Sequence, residues 1–186
     1  MKVLGIAGSL RRDSFNRKLL ANAAELLPDD ATLVIWDGLK AVPPFDEDDE
    51  QHEPEGVAEL RGALAGADAL LFATPEYNHS FPGQLKNALD WASRPKATSV
   101  LRGKPAAVVG ASTGAFGAVW AQAEVRKVLA AAGARVVEAE LPLSFAGRRF
   151  GPDGRLVDDD VRDQLRAVVE KLVDEARVDQ LLASAA

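Results

Sequence analysis

One pattern constrains this 186-residue chain above all others: a short apolar run followed by a segment of helical periodicity, five times over. The runs are 3–7 (VLGIA), 32–36 (TLVIW), 69–73 (ALLFA), 106–110 (AAVVG) and 136–141 (VVEAEL). Three of them are almost continuously apolar, as expected of strands covered on both faces in a parallel sheet. Phe15, Leu19, Ala23 and Leu27 mark one helical stripe. Val161, Leu165, Val168, Leu172, Val173 and Ala176 mark another in the last segment, with charges on its opposite face. Gly133 stands where the fourth helix should stop, and Asp158, Asp159 and Asp160 stand where the last should begin, against the positive end of its dipole. No repeat or linker interrupts the series, so residues 1–186 read as a single domain. The pattern predicts an α/β three-layer sandwich with helices on both faces of a five-stranded parallel sheet.

For five strands the fitting order is 2-1-3-4-5, the flavodoxin-like arrangement. Composition then narrows the function. Lys plus Arg total 22 against 28 Asp plus Glu, a net charge of −6, which argues against the phosphate-neutralising surface of a nucleic-acid binder. The absence of cysteine excludes disulfides, thiolate metal sites and a cysteine nucleophile. No apolar run approaches the roughly 18–20 residues that span a bilayer. The first residues carry too short an apolar run for a signal peptide, so a soluble, cytoplasmic protein is expected. The longest irregular stretch, 37–54, holds Pro43, Pro44 and the acidic run 46–50. It reads as a solvated acidic loop ahead of a partner contact.

In such a sheet ligands bind at the carboxyl edge where strand order reverses, which brings together the loops after strands one, three and four. These are 8–16 (GSLRRDSFN), 74–83 (TPEYNHSFPG) and 111–117 (ASTGAFG). The first opens a helix and carries Ser9, Ser14 and Asn16, with Arg11, Arg12, Arg17 and Lys18 close by. Unpaired helix N–H groups, hydroxyl donors and an arginine make a phosphate cradle. It is neither G-x-G-x-x-G nor a Walker loop, so a dinucleotide held in the Rossmann manner is not expected; Asp37, near the end of strand two, is a weak ribose-binding candidate and reads better as a turn residue. In the second loop Pro75 sets the backbone, Tyr77 offers an aromatic face, and Glu76 and Asn78 can read a polar edge. In the third, Ser112 to Ala115 are small enough for a planar ring to approach the backbone. Phosphate at one end and a ring-sized slot at the other outline flavin mononucleotide, FMN.

GSLRRDSFNRKL (8–19), VPPFDEDDE (42–50), TPEYNHSFPGQLKNALDW (74–91), ASTGAFGA (111–118) and FGPDGRLVDDDVRDQLRAVVEKL (150–172) together resemble the NADPH-dependent FMN reductase family of flavodoxin-like quinone, chromate and azo-type reductases. The resemblance implies a noncovalent FMN at a shallow site. It places Ser9, Arg11, Ser14 and Asn16 on the phosphate, Pro75, Glu76, Tyr77 and Asn78 along the ribityl chain and isoalloxazine, and Ser112 and Gly114 on the opposite side of the ring. It implies a homodimer or tetramer with the acceptor site partly built at the subunit interface. Asp13 in the phosphate loop and Ala118 in place of a frequent glycine depart from the pattern.

On that reading NADPH or NADH passes hydride to flavin N5, and a quinone-like or other small oxidised acceptor then takes its place, in ping-pong fashion. No side chain serves as catalytic acid or nucleophile, and no metal is needed; the chemistry is the cofactor's, aided by backbone N–H groups of 75–78 and 112–115. An FMN electron carrier or a flavin sensor without turnover is the alternative. His79 reads as a loop-surface residue with a possible contact to nicotinamide or acceptor, His52 as solvated, and Phe45 and Phe81 as candidates to edge the site from a neighbouring subunit.

Overall fold

The computed structural model describes residues 1–184, with helical backbone alone from 179 on. Strands β1 (Lys2–Ala7), β2 (Thr32–Trp36), β3 (Ala69–Thr74) and β4 (Pro105–Ala111) alternate with helices α1 (Phe15–Glu25), α2 (Glu55–Ala65), α3 (Gly83–Ala92) and α4 (Val119–Ala131). Two short strands, β5 (Arg135–Val136) and β6 (Pro142–Leu143), and the long α5 (Asp159–Ser184) complete the series. All strand pairs are parallel, in the order β2-β1-β3-β4-β5, with β6 also on β4.

The side chains sort cleanly between two faces because strand residues alternate. Leu4, Ile6, Leu70, Phe72 and Val108 pack with α2, α3 and α4, where Trp91 is fully buried. Val3, Leu71, Ala73, Ala107 and Val109 pack with Leu19, Leu20 and Ala23 of α1 and with Leu165, Val168, Leu172 and Val173 of α5. The central strands β3 and β4 are buried along their whole length, which is why their sequences are uniformly apolar, whereas edge strand β2 alternates between exposed and half-buried. Each fully buried Leu contributes about 1.5–3 kcal/mol of transfer free energy relative to exposure.

The fifth strand differs from expectation. Residues 136–141 do not form one strand: 135–136 and 142–143 pair with β4, the Val137 N–H and the Leu141 carbonyl still bond to Ala106 and Gly110, and 138–140 leave the sheet. Between them the Ala139 N–H turns back to the Val137 carbonyl at 2.8 Å, a three-residue turn that lifts the chain out of register. The stretch 37–54 is also more structured than a solvated loop. It forms two 3-10 turns, Gly38–Ala41 and Glu47–Gln51, and residues 39–45 are tied to α3. Gln84 donates to the carbonyls of Leu39 and Val42, each at 2.8 Å, while Asn87 and the Trp91 indole donate to the Pro43 carbonyl at 2.7 and 3.0 Å. Its acidic side chains remain largely exposed, with Arg94 reaching Glu47 at 2.9 Å. Gly133 (φ 92°) ends the fourth helix, and Asp159 and Asp160 occupy the first turn of the last.

Candidate functional site

The loops after β1, β3 and β4 meet at the carboxyl edge of the sheet, at the point where the order reverses between β1 and β3. The first begins at Gly8, whose N–H donates to the Ala73 carbonyl at 2.8 Å. A Cβ on Gly8 would lie 3.0 Å from Leu85 Cδ2 and 3.4 Å from Pro75 Cδ, so the glycine lets the first loop sit against α3 and the second loop without displacing either by a few tenths of an ångström. The loop ends at Ser14, an N-cap in extended conformation whose hydroxyl oxygen accepts from the Arg17 N–H at 3.3 Å. The N–H groups of Phe15 and Asn16 in the first turn then have no helical partner and face the edge as a partial positive charge.

Asn16 is almost fully buried, and both ends of its amide are engaged. Its Nδ2 donates to the Ala111 carbonyl at 3.0 Å, and the Ala111 N–H donates to its Oδ1 at 2.9 Å. The side chain clips the start of α1 to the end of β4 across 95 residues of sequence. Glu76 is engaged as well. One carboxylate oxygen accepts from the N–H groups of Trp120 and Ala121 at 3.1 and 3.2 Å, capping the first turn of α4 and complementing its dipole. Beyond it, Tyr77 and Ser80 exchange backbone hydrogen bonds (2.8 and 3.1 Å) around Asn78 (φ 53°) and His79 (φ 60°). That is a two-residue hairpin turn of the kind that needs two left-handed residues, a conformation asparagine tolerates well.

The third loop is held from behind. The Ala146 N–H donates to the Ser112 carbonyl at 2.9 Å and the Phe145 N–H to the Gly114 carbonyl at 3.0 Å. Ala118 is in the left-handed region at φ 61° as the N-cap of α4.

The three loops enclose a cleft of about 100 Å³. Ser9, Arg11, Ser14, Asn16, Pro75, Glu76, Tyr77 and Ser112, eight of the ten residues expected from sequence, line it. The other two lie outside: Asn78 is at the hairpin tip, and Gly114 is exposed, with space around it open but for Ser112 Oγ 3.5 Å from a built Cβ. Phe15, Ala111 and Thr113 also line the cleft. Sequence reasoning placed all three within the loops without singling them out; the signal was their adjacency to Ser14, Asn16 and Ser112. Of the expected backbone donors, Tyr77, Ser112 and Gly114 are already bound internally, while Glu76, Asn78, Thr113 and Ala115 have no internal acceptor among the described residues.

Arg11 has no carboxylate partner among the described residues, so the cleft wall is positive at the end where α1 begins. Tyr77, on the second loop, lines the cleft and is 49% exposed, and Phe116 (63%) and Trp120 (40%), after the third loop, are exposed as well. The Trp120 ring touches Phe116 and the edge of exposed His79, with centroids 4.9 and 5.0 Å away. Phe45 and Phe81 do not edge the cleft of their own chain: Phe45 stacks edge-on against Trp91, centroids 4.9 Å apart, and Phe81 is core. No group of three metal-ligating side chains occurs among the described residues, and no described helix is long and apolar enough to cross a membrane.

Against known proteins, the NADPH-dependent FMN reductase family matches residues 1–147. The chain is 40% identical to a 2-hydroxy-1,4-benzoquinone reductase of a Burkholderia species, over 92% of this chain and 93% of that one. It is 41% identical to an NAD(P)H-dependent FMN reductase of Pseudomonas aeruginosa over the same shares. Among solved structures, the flavoenzyme NAD(P)H:acceptor oxidoreductase FerB of Paracoccus denitrificans superimposes with a TM-score of 0.87 at 34% identity, covering 95% of this chain and 97% of that one.

Proposed function

The chain belongs to the NADPH-dependent FMN reductase family, and from that premise we propose that it holds FMN noncovalently in the three-loop cleft and reduces a small quinone-like acceptor at the expense of NAD(P)H. The observation that carries this reading is the cleft itself. Arg11 and the first-turn N–H groups of α1 stand at one side of it and Pro75, Tyr77 and the small residues Ser112 and Thr113 at the other, which suits a ligand with phosphate at one end and a flat ring at the other.

The residues present fit the cofactor. Arg11, Ser9, the Ser14 hydroxyl hydrogen and the free N–H groups of Phe15 and Asn16 would hold the phosphate. Asn16 would act through its backbone, because its amide is bound to Ala111. Pro75 and Tyr77 would flank the ribityl chain and ring; Glu76 would hold the second loop against α4 and offer its own N–H. The unclaimed N–H groups of Glu76, Asn78, Thr113 and Ala115 would donate to the polar edge of the ring, where negative charge accumulates on reduction. Ser112 and Gly114 would bound the ring's other side, the exposed glycine leaving room for it. Bound there, FMN would supply the redox chemistry between reduced nicotinamide and the acceptor, in two half-reactions. No side chain needs to move a proton. The exposed rings of Tyr77, Phe116 and Trp120 would be covered by a second copy of the chain, giving a homodimer or tetramer with the acceptor site at the seam. The cytoplasm, with its supply of reduced nicotinamide, is the matching compartment.

The test is reconstitution: add FMN to purified protein, remove the excess, and add NADPH or NADH without oxygen. A retained flavin band that bleaches rapidly and recovers with a quinone supports the reading. No retained flavin refutes it, and retained flavin that neither nucleotide bleaches replaces the reductase with a carrier or sensor.

A further inference from the structure

A second cavity, about 430 Å³ in volume, opens beside the flavin cleft at the carboxyl ends of β1 and β2 and shares Ser9 and Arg11 with it. Its wall carries Arg11, Arg12, Arg17 and Lys40 with Trp36 and Asp37. Four cations and one carboxylate in one cavity stand out in a chain of net charge −6. Elsewhere most arginines meet an acid, as Arg94 does Glu47 and Arg149 does Asp158. Here only Arg17 does: its two terminal nitrogens both bind Asp37, Nη2 at 3.0 Å. Arg11, Arg12 and Lys40 have no carboxylate partner among the described residues.

Asp37 follows the last residue of β2. In Rossmann dinucleotide sites an acid at the end of the second strand accepts ribose hydroxyls and repels a phosphate in their place, whereas a nearby arginine welcomes that phosphate; this sheet lacks the Rossmann glycine loop, and only the charge argument carries over. In this chain the acid is neutralised by Arg17, and the charge left to a ligand is positive. Trp36 adds a flat apolar wall: a Cβ on Gly38 would lie 2.4 Å from the indole Cζ2, so the glycine is what allows the ring to lie against the backbone there. Phosphate-seeking cations beside an aromatic face suit a phosphorylated purine nucleoside.

We propose that this cavity receives the adenosine 2′-phosphate of NADPH, through Arg12 and Lys40 with the adenine against Trp36, and so makes the enzyme prefer NADPH to NADH. The assignment rests on the reductase reading above and adds the residues that choose its reductant. Arg12 and Lys40 are exposed and stand outside the flavin cleft, so their replacement leaves the core intact.

The experiment uses the FMN-loaded protein and the variants Arg12→Ala, Lys40→Ala and Arg12→Lys. The readout is the ratio of kcat/KM with NADPH to kcat/KM with NADH. Each alanine variant should lower the ratio about tenfold, the loss expected of one charge-assisted hydrogen bond, chiefly through KM for NADPH; Arg12→Lys should restore part of it. Independently of turnover, calorimetry with 2′,5′-ADP and 5′-AMP should show the 2′-phosphate compound binding wild type more tightly, and the alanine variants should remove the difference. A ratio unchanged in both alanine variants, or equal affinity for the two adenosine phosphates, overturns the proposal. So does a matching loss of FMN affinity in both variants, which would give the cavity to the flavin phosphate. If neither nucleotide is oxidised but 2′,5′-ADP binding depends on Arg12 and Lys40, the reductase reading fails while the cavity's ligand stands.

Discussion

Replacing Asn16 separates two roles that a polar residue at the start of α1 can play. As a phosphate ligand its amide would be free to turn toward the cleft; as found, it is committed to the Ala111 backbone at 3.0 and 2.9 Å, with Asn16 and Ala111 each 2% exposed. Asn16→Ala leaves one buried N–H and one buried carbonyl without partners. Each such group costs about 1–3 kcal/mol, so the pair predicts a loss of about 2–6 kcal/mol, toward the lower end where water can enter from the cleft. For a domain of this size that is roughly 2–4 °C in Tm per kcal/mol. Asn16→Asp keeps an acceptor for the Ala111 N–H but sets a carboxylate against the Ala111 carbonyl, so it should lose at least as much at neutral pH. Acidification, by protonating the introduced carboxyl, should narrow that deficit. Equilibrium denaturation of the flavin-free protein measures the loss as a shift of midpoint at constant slope, and a parallel FMN titration measures affinity. If Asn16→Ala unfolds within about 0.5 kcal/mol of wild type, the scatter of neutral surface changes, while FMN affinity falls tenfold or more, the clip is refuted and the amide is a ligand.

Three further perturbations test the scaffold. Gly117→Ala should cost about 3 kcal/mol or more by denaturation, because φ is +57° and the new Cβ would fall 2.2 Å from the Pro142 carbonyl carbon, rigid backbone that cannot swing away. Glu76→Ala should lose about 1–2 kcal/mol by uncapping two N–H groups of α4, and Glu76→Gln less, since it keeps an acceptor and forfeits only the charge–dipole term; equal losses would contradict a dipole contribution. The Arg177 guanidinium, hydrogen-bonded at 2.8 Å, holds the Asp30 carboxyl below the usual carboxylate range. A depressed folded pKa means the pair stabilises above the unfolded value, ~3.9, and stops doing so as pH falls through the folded one. NMR titration of Asp30 in Arg177→Ala should move its midpoint upward, and any stability difference from wild type should vanish in strong acid.

The parts of the fold legible in the sequence were those decided by local apolar patterning. β3 and β4 are buried on both faces and could not be written with polar residues, so ALLFA and AAVVG announced them. The same rule misled at residues 136–141. There apolar Val137, Ala139 and Leu141 alternate with Glu138 and Glu140 as in a half-buried strand, yet Glu140 reaches out to Arg126 and Lys171 donates to the Glu138 carbonyl at 2.9 Å, holding the chain in a turn. The docking of 37–54 was illegible for a related reason. It depends on Gln84, Asn87 and Trp91, some 40 residues away, directing side-chain donors to three carbonyls of a segment whose own composition says only acidic and proline-rich.

Within the site, hydrogen bonding draws a line that residue type does not. Asn16 and Glu76 look like ligand-binding residues in sequence, but each side chain is engaged by its own fold, Asn16 on Ala111 and Glu76 on α4, as is Thr74 by its hydroxyl on the Pro75 carbonyl at 2.8 Å. They set the spacing of the three loops. Uncommitted among the described residues are the guanidinium of Arg11, the first-turn N–H groups of α1, and the loop N–H groups of Glu76, Asn78, Thr113 and Ala115. Because a buried polar group without a partner is costly, a side chain locked to the backbone cannot rotate to a ligand without giving up about as much as the new hydrogen bond would supply. Recognition at this edge therefore falls to cations and backbone donors, which tolerate a shallow, exchangeable binding partner. The locked side chains determine where those donors point, and a substitution among them should act on flavin affinity and on folding stability together, whereas one at Arg11 should act on affinity alone.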